Sequence, residues 1–285
     1  MLQVVKQLTR GKIMSFKNII AALAPTADKQ AGSAYAISMA EVMGAHVTGC
    51  AYALHPQGNS LPWFPDELIE NHLAKVTEAA HLAIQQFKET ARKSNIEIAS
   101  EVFRATLDAA TTAFGERART FDITILTQSA KGLDHVGDLF TEAALFYSGR
   151  PLILIPRDHS GAFAANRVLI AWDGSQYAAV AVAHAMPVLR LADKVEILVV
   201  GDKEKADSTH AAKLVASLER HGMDVELICR DENDDANAIV REAQGWGASL
   251  LVMGGYGHSR AREIVFGGVT RFMMSEAPLP VLMAH

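Results

Sequence analysis

Residues 250–270, LLVMGGYGHSRAREIVFGGVT, pass from an unbroken apolar run into a glycine-rich turn. LLVM has no polar alternation, so it reads as a strand covered on both faces, the habit of a parallel sheet flanked by helices. A helix start is expected near Val269 and Thr270. Between them the glycines are spaced Gly254-x2-Gly257-x9-Gly267-Gly268. Such a loop at the carboxyl end of a parallel strand lets backbone N–H groups approach phosphate oxygens with no Cβ in the way. The helix that follows adds its positive end to the same anion. Glycines placed only for tight packing are the plainer alternative, but the four of this spacing, set between a strand and a helix, favour the phosphate reading.

Working outward, the chain repeats itself. Lys17–Pro25 (KNIIAALAP) aligns without gaps with Asn166–Gly174 (NRVLIAWDG), and Asp122–Gln128 (DITILTQ) aligns with Ser249–Gly255 (SLLVMGG). Each half closes on a proline and an apolar strand, GRPLILI at 149–155 and PLPVLMA at 278–284. Strands are expected at 17–23, 46–53, 97–103, 123–127 and 152–155, and again at 167–172, 195–200, 224–229, 250–254 and 280–283. Helical patterns lie between them, including 28–43, 66–93, 108–120, 138–148 and 176–189. The fold class is therefore α/β, as two tandem five-stranded, mostly parallel sheets flanked by helices. Residues 1–14 read as an extension, with disorder as one reading, because Met14 resembles a natural start. Domains are expected at 15–157 and 166–285, joined by a turn-rich linker at 158–165.

Composition narrows the function. The chain has 285 residues, 49% of them apolar, a net charge of −5 and a pI near 6.1. Two domain cores are affordable at that length, and no clustered Lys and Arg suits a nucleic-acid or anionic-membrane binder. No run reaches the ~18 apolar residues of a membrane span, and no signal peptide is legible, so a cytoplasmic setting is expected. Cys50 and Cys229 read as small buried side chains near strand ends rather than a disulfide. The eleven histidines form no ligand set, so no metal site is expected.

On the glycine spacing, the chain resembles the universal stress protein family in its tandem two-domain form. The resemblance spans about Ser15 to His285, specific in the second half and weak in the first. It implies an adenine nucleotide α-hydrolase-like, Rossmann-like fold and a regulatory protein of the stress response that binds ATP or another adenine nucleotide, with or without magnesium. Gly254, Gly257 and Gly267 match the family's phosphate-binding glycines. Gly268 takes a position the family gives to Ser or Thr, so its N–H remains but a hydroxyl bond worth ~1 kcal/mol is lost. Val269 and Thr270 complete that site, with Thr270 able to compensate. Asp173, ending the first strand of the second half, matches the acidic residue at the nucleoside. It also suits the turn and N-cap chemistry of Asp-Gly-Ser. The strand-two residue offering backbone groups to adenine is Val199 or Val200. The resemblance further implies an intramolecular pseudo-dimer of the two halves through their fifth strands, with a homodimer as a further option.

The first half departs from this pattern. Asp173 becomes Ala24, Gly254 becomes Thr127, Gly257 becomes Ala130, and Gly267-Gly268 becomes Phe140-Thr141. Side chains stand where phosphates would lie, so this half reads as a degenerate, structural copy. Arg260 and Arg262 could reach a phosphate or lie on a solvated loop, His258 beside the glycine loop is the one histidine to watch, and the acidic run Asp231–Asp235 reads as a solvated cap to a helix starting near Ala236. No catalytic constellation is legible, and neither an SGGxDS-like nor a HIGH-like motif is present. At most slow ATP hydrolysis is expected. A nucleotide-free scaffold is the competing class.

Overall fold

A computed structural model describes residues 15–23, 31–55, 66–129, 135–232, 234–255 and 268–285. The first half runs β1 (Asn18–Ala22), α1 (Ala31–Met43), β2 (His46–Leu54), α2 (Asp66–Ala91), β3 (Ile98–Ala105), α3 (Leu107–Ala118), β4 (Ile123–Thr127), α4 (His135–Tyr147) and β5 (Leu152–Ile155). The second runs β6 (Arg167–Ala171), α5 (Gln176–Leu189), β7 (Lys194–Val200), α6 (Lys203–Ser208), α7 (Ala211–Arg220), β8 (Val225–Arg230), α8 (Asp235–Trp246), β9 (Leu250–Gly254), α9 (Gly268–Glu276) and β10 (Val281–Ala284). The expected order of strands and helices is present, with ends shifted by a few residues. Residues 1–14 and the loop through Trp63 lie outside the described residues.

The strands do not form two separate sheets. They make one ten-stranded sheet in the order β3-β2-β1-β4-β5-β10-β9-β6-β7-β8. Within each half every pairing is parallel. The join is antiparallel, with Val281 opposite Leu154 and Met283 opposite Leu152. The reason is the composition of the two closing strands. LILI and VLMA are buried at every residue, and an open edge of that kind would leave a row of backbone groups and apolar side chains unpaired. Pairing them satisfies both halves at once.

Alternation along the strands divides the core into two layers. Ile19, Ile125, Ile153, Val168, Ile170, Val252 and Leu282 pack on one face. Ile20, Leu126, Leu152, Leu154, Leu169, Leu251 and Val281 pack on the other. Each such side chain is fully buried or nearly so, worth ~1.5–3 kcal/mol of transfer energy.

The extra length of the first half is α2, whose apolar stripe is buried only towards its end. Ala80, Ala83, Ile84 and Phe87 join the core, whereas Leu68 stays 54% exposed. A 26-residue helix is about 39 Å long. The nine-residue β2 beneath it is about 30 Å, so the first turns overhang the sheet.

Both halves have the same switch point. β1 lies between β2 and β4, and β6 lies between β7 and β9. At such a point the following helices leave on opposite sides, and a crevice opens at the carboxyl ends of the strands.

Candidate functional site

In the second half that crevice is a cleft of about 790 Å3. Its apolar walls are Leu198 and Val200 of β7, Met253 of β9, Ile239 of α8, and Val269 and Phe272 of α9. Its rim carries Asp173, Lys205, Asp234, Asp235 and Asn237, together with the backbone of Gly254 and Gly268. The volume falls within the ~300–1,000 Å3 of small-molecule sites, and apolar walls with a few polar groups are their usual make-up.

Asp173 follows β6 and opens a tight turn. Its Oδ1 accepts from the Ser175 N–H at 2.9 Å, and Ser175 Oγ accepts from the Ala178 N–H at 3.1 Å to cap α5. Gly174 between them has φ +77°, and a Cβ there would meet Thr209 Cβ at 2.9 Å. Only glycine fits both constraints. Trp172, which also lines the cleft, donates from Nε1 to Thr209 O at 3.0 Å. That bond holds the segment containing α6 over the end of β6 and sets Lys205 at the cleft.

Of the glycines in the phosphate pattern, Gly254 and Gly268 are described, and they differ. A Cβ on Gly254 would lie 2.6 Å from Ala178 N and Tyr177 C, inside the first turn of α5. This glycine is demanded by strand-to-helix packing, whatever the ligand. The first half makes the corresponding close contact with the roles reversed. There the strand residue is Thr127, and the helix supplies Gly32, whose N–H donates to Thr127 Oγ1 at 3.1 Å. Gly268 has open space where a Cβ would go. It starts α9, so the positive end of that helix lies at the cleft. Val269 and the buried Thr270 also line it. Gly257, Gly267, His258, Arg260 and Arg262 lie outside the described residues.

Val199 is fully buried against Ala206 and Ala211, on the face of β7 away from the cleft. Its neighbours Leu198 and Val200 point into the cleft. Any role of Val199 is thus confined to its backbone.

Two contributions were not read from the sequence as site residues. Lys205 sits one turn into a short helix capped by Asp202, whose Oδ1 accepts from the Lys205 N–H at 2.8 Å. Asp234, Asp235 and Asn237 come from the run read only as a helix cap. Asp234 does cap α8, accepting from the Asn237 N–H at 3.1 Å and from Asn237 Nδ2 at 2.6 Å. These bonds from Asn237 hold its carboxyl below the ordinary range. The same geometry puts the α8 start on the rim. The signal was available: a helix start directly after a strand's carboxyl end borders the crevice.

In the first half the corresponding space is filled. Counted from the residues paired with the starts of β1 and β6, Tyr52 stands in the place of Val200, and Phe103 in that of Arg230. Tyr52 stacks on Phe103 with centroids 5.4 Å apart and touches Phe140 at 4.5 Å. Phe114 meets both Tyr52 and Phe140 edge-on at 5.8 and 5.5 Å. Burial raises the pKa of the Tyr52 hydroxyl far above the ordinary value. The Cys50 thiol beneath it is pushed up to about 12 by burial and then by Glu101.

Both cysteines are free, Cys50 buried and Cys229 half-buried. Among the described residues no group of three or more His, Cys, Asp or Glu is placed to hold a metal ion, and no helix is long and apolar enough to cross a membrane.

Residues 165–285 match the model of the universal stress protein family. A universal stress protein of Synechocystis is 30% identical over 138 residues, which is 47% of this chain and 46% of that protein. The match thus spans about half the relative's length. The crystal structure of a universal stress protein from Archaeoglobus fulgidus superposes with a TM-score of 0.70, covering 94% of this chain and 97% of that one at 14% identity. A functionally unknown protein from Pseudomonas aeruginosa gives 0.59, covering 94% and 92% at 11% identity. At such identities the likeness concerns the fold, an α/β architecture with a mostly parallel sheet. Residues 165–285 are thus a domain of the universal stress protein family.

Proposed function

We propose that this protein is a cytoplasmic regulatory protein of the stress response that binds one adenine nucleotide in its second half, without efficient turnover. The observation that carries the proposal is the open cleft at the second switch point, with Asp173 on one side and the first turn of α9 on the other. The apolar walls Leu198, Val200, Ile239 and Phe272 suit a flat base, and Asp173 suits ribose hydroxyls as an acceptor. The α9 start, with Gly254 and Gly268 and with Gly257 and Gly267 in the intervening sequence, suits phosphate. The open space at Gly268 leaves room for close approach. ATP is the leading ligand, with or without magnesium.

The first half, residues 15–157, serves in this proposal as a structural copy. It gives the second half an intramolecular partner through β5 and β10, in the manner of a pseudo-dimer, and homodimerisation is a further option. Hydrolysis is slow in this reading because nothing in the glycine motif offers an obvious base to position a water. Calorimetric titration of the purified chain with ATP, ADP and AMP tests the proposal. Binding at one site per chain is expected. No binding would leave the nucleotide-free scaffold, and a stoichiometry near two would return the first half to function.

A further inference from the structure

The two halves grip each other at points that border the second cleft, and the grip is asymmetric. Gly255 follows β9, and its N–H donates to Ala284 O at 2.8 Å. Where its Cβ would stand, the first half inserts Leu145 of α4, with Cδ2 2.8 Å from that position. His285 approaches Gly255 O through Nδ1 at 3.0 Å. Its ring stacks on Tyr177 at 4.5 Å and 17°, and meets Phe146 of α4 edge-on at 4.9 Å. After β4 the counterpart is Gln128, whose N–H donates to Ile155 O at 2.8 Å. Here a side chain is present and reaches across. The buried Gln128 Nε2 donates to Met273 O at 3.1 Å and to Ala277 O at 3.2 Å, at the end of α9.

α9 is the helix whose first turn lines the cleft. First-half residues therefore touch both the strand end and the helix that frame the cleft on its β9 side, while none of the described ones lines it. Recognition by backbone N–H groups has no flexible side chain to absorb an error, so a small displacement of α9 or Gly255 changes every contact. From this interlock we infer that the first half is the positioning element of the second-half cleft. Leu145 and Phe146 set Gly255, and Gln128 sets α9. The inference rests on the nucleotide reading above and adds a task for the half that lacks an open site. It makes α4 sense occupancy of the cleft, because coupling is reciprocal.

The test uses the full chain with ATP as the probe. Two variants are titrated beside the wild type, Leu145→Ala, and Gln128→Glu, which keeps the volume but removes the donors. Amide hydrogen exchange over residues 141–148 is followed with and without ATP, and thermal unfolding without ligand reports the stability cost separately. The expected result is ATP-dependent slowing of exchange in α4, lost in Leu145→Ala, with affinity about threefold to tenfold weaker in both variants. Wild-type ATP binding with unchanged α4 exchange, and variants that bind like wild type, would overturn the positioning role and leave the nucleotide site intact. Absence of ATP binding to the wild type would overturn both.

Discussion

At the carboxyl ends of β1, β2 and β4 sits a packed aromatic cluster, and at the carboxyl ends of β6, β7 and β9 sits an open cleft. The backbone that surrounds the two is the same in strand order and register. What differs is side-chain volume at a few positions, Tyr52 for Val200 and Phe103 for Arg230, with Phe114 and Phe140 closing the gap. A crevice at a switch point is a property of the topology. Whether it can hold a ligand depends on how much of it the chain fills with its own side chains. The filled half gains core area, and the open half forgoes it.

The comparison breaks most sharply if the filling is removed. Phe140→Ala should cost ~3–5 kcal/mol, because Phe140 is buried against Tyr52 and Phe114 and the cavity collapses only in part. Chemical denaturation measures this, and titration of the same variant should find no second nucleotide site, since Tyr52 and Phe103 remain. The reverse exchange, Val200→Tyr, carries the first half's residue into the open cleft. It should weaken ATP binding at least a hundredfold, about 3 kcal/mol or more, with little loss of stability because the ring enters space rather than packed core. Calorimetry beside a thermal melt separates the two effects.

A smaller change sharpens the chemistry on the open side. Asp173→Ala should weaken ATP binding by ~1–3 kcal/mol, the range for one charge-assisted hydrogen bond. Binding unaffected by this change would confine Asp173 to its turn with Ser175.

The smallest expected effect concerns a buried carboxyl that has Thr48 as its counterpart in the first half. Glu196 of β7 is nearly inaccessible, and its Oε1 has no hydrogen-bond partner. Burial raises its pKa to about 7, with help from Glu242 and Glu226 and against the pull of Arg230. The groups around it are Glu226 on the neighbouring strand and the Arg230–Glu242 ion pair. The folded protein thus prefers the protonated form. Stability from this group is complete below the ordinary carboxyl value of 4.5 and is lost as pH rises through about 7. Glu196→Gln should therefore be more stable than wild type above pH 7, by roughly 1–2 kcal/mol. That is less than the full displacement implies, because Glu226 and Arg230 are open to solvent. The advantage should vanish near pH 4. Melting temperatures across that range check the sign.

Much of the site's framework was legible from local sequence. Asp173 in a turn, a glycine run after an apolar strand, and a helix start near Val269 are decided within a few residues, where periodicity and turn chemistry act directly. The double role of Gly254 was not legible. Its need for glycine comes from the first turn of α5, some seventy-five residues earlier in the chain. Lys205 reaches the rim on a segment held by bonds such as that of Trp172 to Thr209, and Asp234 reaches it because α8 starts where β8 ends.

By itself the sequence determined the elements, their repetition and the unequal quality of the two halves, because these rest on side-chain patterns between near neighbours. The fifth strands were expected at the shared surface, but only the tertiary structure decided that β5 and β10 pair edge to edge, antiparallel, and make two sheets one. It also decided that Tyr52, Phe103, Phe114 and Phe140 would meet in one cluster, and that α4 and Gln128 would brace the opposite half's cleft. Those outcomes depend on contacts between residues tens of positions apart, settled when exposed strand edges and apolar faces find their cover, and no local pattern encodes which face will cover which.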